Sequence, residues 1–186
     1  MTPLESLWLP ILLSSVFVFI ASAIVNMASP WHKKDFPKHP QQDAILNALR
    51  PFSIPPGEYL FPRATDSKDR NSPEYNEQQK TGPVFIMTAW KYGSTPMGMT
   101  FVYWFINVVI VGVFAAYIAG RALPVGASYP EVFRFAGTTA FLSYVMAVWQ
   151  FSIWYSRPWK SALKSTLDGL IYALLTAGTF GWLWPQ

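Results

Sequence analysis

Apolar residues in this chain gather into blocks. Four runs contain no Asp, Glu, Lys or Arg: 6–31, 92–120, 135–156 and 169–186. Each has a centre rich in Leu, Ile, Val, Phe and Ala. A helix needs about 20 apolar residues to cross a hydrocarbon layer about 30 Å thick. The runs therefore predict four spans, near 7–27, 99–120, 134–155 and 167–184. The rest of the chain is too short and too polar to bury four such segments. The expected fold class is an all-α integral membrane protein, a four-span helical bundle. The first run follows Met-Thr-Pro-Leu-Glu, with no basic residue, and exceeds the short apolar stretch of a signal peptide. It reads as a retained span.

The stretch 28–98 has another pattern, in which short apolar groups alternate with polar residues and punctuating prolines. Residues 43–50 read as a short helix with Asp43 as N-cap, Ile45, Leu46 and Leu49 on one face, and Pro51 as the stop. Pro55-Pro56-Gly57 marks a turn. Ser72-Pro73-Glu74 opens a second short helix, which ends before Gly82-Pro83. Residues 84–90 read as a strand, with 59–61 as an edge partner limited by Pro62. The polar middle, 64–71, is expected to be mobile. This predicts a small mixed loop domain between spans one and two. The chain then divides into 1–27, 28–98 and 99–186.

Charge gives this layout a direction. The chain carries 14 basic and 10 acidic residues, for a net charge of +4. Twelve of the basic residues fall in 28–98 or between spans three and four; only Arg121 and Arg134 fall on the other side. By the positive-inside rule, loops 28–98 and 156–166 are cytoplasmic and both termini are periplasmic. The basic excess then faces anionic lipid headgroups, so nucleic acid is not an expected partner. Trp8, Trp31, Trp90, Trp104, Trp154, Trp159, Trp182 and Trp184 lie at or near span ends, as interfacial tryptophans do.

Candidate chemistry is sparse. The chain has no cysteine, which excludes disulfides, thiolate nucleophiles and iron–sulfur sites. Only Asn107 and Gln150 are strongly polar well inside a span, and a hydrogen bond between helices is their ordinary role. Asp168 reads as a first-turn residue of span four, complementing the helix dipole and pairing with Lys164 or Arg157. His32, Asp35 and His39 form a weak metal candidate whose spacing fits no standard site. No catalytic arrangement or phosphate-binding loop is found, so neither enzyme activity nor a cofactor is expected. Small residues recur every four positions at Gly112, Ala116 and Gly120, and at Gly169, Ala173, Ala177 and Gly181. Such stripes let helix backbones approach closely.

Four segments carry a family resemblance. They are Pro30-Trp31-His32-Lys33, the run from Ala48 to Gly57, the run from Phe133 to Phe141, and the run from Asp168 to Gly178. In these the chain resembles a family of small multi-pass bacterial inner-membrane proteins with no characterised activity. The resemblance implies a bacterial inner membrane and carries over no catalytic residue. The expected function is that of a non-catalytic membrane subunit or scaffold, with the bilayer and other membrane subunits as partners. The alternative is a small transporter or channel with a polar path near Asn107 and Gln150.

Overall fold

The computed structural model describes residues 1–91, 93 and 96–186. Tyr92, Ser94 and Thr95, near the end of the expected loop domain, lie outside the described residues. The chain forms two compact units, Met1–Pro37 with Thr95–Gln186, and Lys38–Ser94.

The first unit is built on four long helices. A 3-10 turn (Leu4–Leu7) leads into α1 (Trp8–Ala23), which closes in a π-helical turn (Ile24–Ala28). The others are α5 (Met97–Ala122), α6 (Tyr129–Tyr155) and α7 (Trp159–Trp182). Helix α1 packs on α5 and α7, and α6 packs on α5 and α7, closing a ring of four. Pro10 brings no N–H to the first turn of α1, and the turn before it is 3-10.

Three of these helical segments are long and apolar enough to cross a membrane: Leu4–Ala28, Met97–Ala122 and Tyr129–Tyr155. Helix α7 is nearly as long, but Lys160, Lys164 and Asp168 sit in its first half. Where four spans are expected, three helices meet the requirement of length and apolarity.

Helix boundaries follow capping chemistry more than hydropathy. Helix α6 starts at Tyr129, not near 134. Ser128 and Glu131 close a capping box, the Ser128 N–H donating to Glu131 Oε2 at 3.0 Å, with Pro130 in the first turn. Its end is set by Ser156 in the left-handed region (φ 53°). Pro158 then allows α7 to begin at Trp159, eight residues before the expected 167. Asp168 consequently stands near the middle of α7 rather than in its first turn, and its expected dipole role does not hold.

Most buried positions carry small residues, with Leu7, Tyr172, Phe180 and Trp184 among the larger exceptions. The inner faces carry Val18, Val108, Val111, Val132 and Val145 with many alanines. Many large apolar side chains face outward, such as Phe17 and Ile20 on α1, Ile110 and Phe114 on α5, and Leu170 and Leu174 on α7. Water would favour the reverse arrangement, whereas in lipid close packing of small residues drives helix association. The glycine stripes take part directly. A Cβ on Gly112 would touch the Ile11 side chain at 3.4 Å, and one on Gly169 would lie 2.5 Å from Val145 Cγ2. Ala116, Ala173 and Ala177 are buried in the same seams.

At the terminal end, the N-terminus, the α5–α6 turn and the C-terminus are tied together. The Thr2 N–H donates to Gly120 O at 2.7 Å, and its hydroxyl to Leu123 O at 3.1 Å. The Gly126 N–H donates to Pro185 O at 2.8 Å, and Trp184 Nε1 to Pro124 O at 2.9 Å. A Cβ on Gly120 would lie 2.8 Å from Thr2 O, so only glycine admits this strap. Beneath it, Leu7, Ala119, Val132 and Phe180 are fully buried.

The second unit contains α2 (Gln42–Leu49), β1 (Gly57–Phe61), α3 (Ser67–Arg70), α4 (Pro73–Thr81) and β2 (Phe85–Ala89). The strands pair antiparallel, from Gly57 opposite Ala89 to Phe61 opposite Phe85, and the last pair stacks its rings at 5.1 Å. Ser72 caps α4 by accepting the Tyr75 N–H at 3.1 Å. Asp43 is not the cap of α2. It lies in the first turn, and the N-cap position belongs to Gln41, whose N–H reaches His39 Nδ1 at 3.1 Å. The stretch 64–71 holds a helical turn. Asp66 caps it by accepting the Asp69 N–H at 2.8 Å.

Candidate functional site

Residues 28–37 belong with the long helices rather than with the loop unit. Two tight turns fold this segment: the Lys33 N–H donates to Pro30 O, and the Asp35 N–H to His32 O. The turns aim Trp31, His32 and Asp35 at α7. From α7 come Lys164 and Asp168, four residues apart and therefore on one face.

The five side chains form one network. Lys164 Nζ pairs with Asp35 Oδ1 and also donates to the Trp31 carbonyl at 2.5 Å. His32 Nδ1 lies 2.6 Å from Asp35 Oδ2, and its Nε2 lies 2.9 Å from Asp168 Oδ2. Trp31 Nε1 donates to Asp168 Oδ1 at 3.1 Å, while its ring lies 5.4 Å from the Lys164 ammonium. Lys164 and Asp168 are only 9% and 7% exposed, so an unmatched charge at either position would be costly. The Lys164 hydrogen bond, seconded by His32, holds the Asp35 carboxyl below its ordinary value of 3.8, against a smaller opposing effect of burial. A neutral imidazole has one N–H and can donate to only one carboxylate; donation to both Asp35 and Asp168 requires both ring nitrogens protonated.

Behind this network lies a cavity of about 630 Å³, lined by all four long helices. Such a volume falls within the ordinary range of small-molecule sites. Its wall includes an edge-to-face aromatic cluster, with the Tyr172 ring 6.1 Å from Trp104 and 5.6 Å from Tyr144. The Trp104 indole N–H is held by Ser22 Oγ at 2.7 Å. Asn26, in the π turn, donates to Ser22 O at 2.9 Å and contacts the Tyr172 hydroxyl at 3.4 Å. The π turn widens the helix where its side chains meet the cavity, a common placement for such turns. The cavity reaches Asn107, ten residues and therefore about 15 Å along α5 from its start. Arg157, in the α6–α7 turn, completes the wall.

The residues singled out from sequence are distributed unevenly. His32 and Asp35 meet, while His39 lies in the loop unit. Both His32 nitrogens face carboxylates, and no group of three or more His, Cys, Asp or Glu suited to a metal ion is found among the described residues. Both Asn107 and Gln150 are exposed; Asn107 lines the cavity, whereas Gln150, on α6, is not part of its wall. No hydrogen bond joins the two among the described residues, so the expected interhelical bond is not formed. Asp168 pairs with His32, not with Lys164 or Arg157. In the sequence Trp31 reads as an interfacial ring, and Lys164 as a topology charge and a partner for Asp168, not for Asp35. The i,i+4 pair Lys164/Asp168 and the i,i+3 pair His32/Asp35 were the available signals. Trp31, Trp104 and Trp184 also spend their indole N–H on partners inside the protein.

Comparison with protein-family models, curated proteins and solved structures finds no match to this chain.

Proposed function

We propose that this chain is a four-span integral protein of a bacterial inner membrane, acting as a non-catalytic subunit of a larger membrane assembly. One observation carries the reading: the charges of α7 are spent inside the protein. Lys164 and Asp168 are matched by Asp35, His32 and Trp31, so the helix can lie beside α6 without offering a bare charge to lipid. Lys160, one residue into α7, can snorkel to the interface. Large apolar side chains on the outer faces supply a surface for lipid or for helices of partner subunits. The charge bias supports a cytoplasmic position for 38–94 and for the α6–α7 turn, with both termini periplasmic.

The absence of cysteine makes the topology directly testable. Single-cysteine variants Ser128→Cys, Ser156→Cys and Gln186→Cys are labelled with an impermeant maleimide in intact cells. Four spans predict labelling at 128 and 186 but not at 156. Labelling of 156 and 186 alike would place α7 on one side of the membrane and remove the reading. Gentle extraction followed by native sizing tests the subunit role: stoichiometric membrane partners are expected, and a lone 21 kDa species argues against it.

A second reading, a small transporter or channel, is favoured by Asn107 on the cavity wall. It predicts that Asn107→Leu abolishes flux in proteoliposomes while leaving folding intact.

A further inference from the structure

The cavity between the four long helices holds an unequal set of charges. Asp35 and Asp168 line it, but each is already matched, Asp35 by Lys164 and His32, Asp168 by His32 and the Trp31 N–H. Arg157 also lines it, and forms no ion pair among the described residues. Arg157 is thus the charged side chain on the wall left without an ion-pair partner among the described residues. Deeper in, the walls are Phe19, Phe101 and Val148, with the aromatic cluster beside them. The Asn107 amide, at the far reach of the cavity, has no hydrogen-bond partner among the described residues.

We propose that this cavity binds an amphipathic anion, a single apolar chain carrying one carboxylate or phosphate, with its head on Arg157 and its body along Phe19 and Phe101. Arginine suits this role because its planar fork donates two parallel hydrogen bonds to either oxyanion. A cationic amphiphile would bring its head against the like charge of Arg157. An uncharged one keeps the apolar contacts and loses the head-group bonds. The site also fits its place at a helix end, where a head reaches the interface while its chain stays in the bundle. Carboxylate and phosphate heads share this chemistry, and a direct competition separates them.

The test uses the full chain in alkyl maltoside micelles, with brominated probes of equal chain length: a fatty acid, an alkyl phosphate and the fatty alcohol. Bromine quenches nearby indoles, and the difference between the native protein and Trp104→Phe isolates quenching within the cavity. At least one anionic probe is expected to quench Trp104 at about one tenth of the concentration the alcohol needs, as loss of a charge-assisted pair implies. In Arg157→Gln that preference is expected to fall to below about threefold, and in Arg157→Lys to an intermediate value, since lysine keeps the charge but not the bidentate fork. Whichever anion acts at lower concentration names the head group. Equal potency of alcohol and anions overturns the proposal, as does a preference that survives in Arg157→Gln. Absence of Trp104-dependent quenching by every probe, in protein that still sizes and melts as native, also overturns it.

Discussion

At the terminal end of the helical unit, Thr2 lies against Gly120, Trp184 donates to Pro124, and Leu7 and Phe180 fill the space below with no charge among them. At the loop end, two acids, a lysine and a histidine interlock around Trp31, and an open cavity lies behind them. The first end is held by close contact of small and apolar groups, fastened by hydrogen bonds between uncharged groups. The second is held by a few directional bonds, which can support a cavity because they do not need the volume filled. Contact-held and bond-held ends should fail in different ways, one to added volume and the other to lost charge.

The largest effect is expected at the bond-held end. Lys164→Met removes the ammonium from the Asp35 carboxylate and the Trp31 carbonyl in a mostly buried site, leaving Asp35 with His32 alone. The loss should be about 3 kcal/mol, the cost typical of breaking a buried pair on one side. Denaturant titration in mixed micelles measures it, and freed residues 28–37 should become more sensitive to trypsin at Lys33 and Lys34. A loss under about 0.5 kcal/mol would mean that the network does not hold this end.

Added volume should trouble the other end more. Gly120→Val places a branched side chain where a single Cβ already lies 2.8 Å from Thr2 O. Overpacking of this kind costs about 1–3 kcal/mol. The N-terminal strap should release, read as faster exchange of the Thr2 amide hydrogen. An unchanged exchange rate would show that the strap contributes nothing.

Acid separates the two ends more gently. Asp35 is held below its ordinary carboxyl value of 3.8 in the folded protein. Its contribution is therefore fully present above that value, and is lost as pH falls through the depressed folded value. Melting temperature should be steady from neutral pH down to about pH 5 as far as Asp35 is concerned, then decline below about pH 4. In Asp35→Asn the decline should be shallower. Equal declines in both proteins would remove Asp35 from the account. The smallest effect is expected at Gln150, exposed on α6 and bonded to nothing among the described residues. Gln150→Leu should stay within about 0.5 kcal/mol of the native protein.

The apolar framework was readable from the chain because membrane spans are a matter of run length. The runs around α1, α5 and α6 mark helices that meet the requirement, and the stripes from Gly112 to Gly120 and from Gly169 to Gly181 lie in helix seams. Helices α6 and α7 begin before the apolar runs because capping, not hydropathy, sets a helix start. Ser128-Tyr-Pro-Glu131 is a capping signature, and Pro158 a helix opener, both outside the apolar runs. The candidate site was legible only in fragments. His32 and Asp35 stood out as ionisable neighbours, and Asn107 as a polar residue within a span. Their joining to Lys164 and Asp168 spans about 130 residues of sequence, and nothing in local periodicity reports such a pairing. His39 stands with His32 and Asp35 as a weak metal candidate in the sequence, yet it falls in the other unit, bonded to the Gln41 N–H.

The claim on which the four-span reading rests is that the charges of α7 are tolerated because they are paired with the segment after α1. A double-mutant cycle over Asp35→Leu and Lys164→Met measures that pairing in the full chain. Each single variant should lose about 3 kcal/mol, and the double variant, with neither charge left unmatched, should lose clearly less than their sum. A coupling of about 2 kcal/mol or more is the result predicted. Losses that add within about 0.5 kcal/mol would contradict it, and would leave Lys164 and Asp168 as unexplained charges on a helix among apolar neighbours.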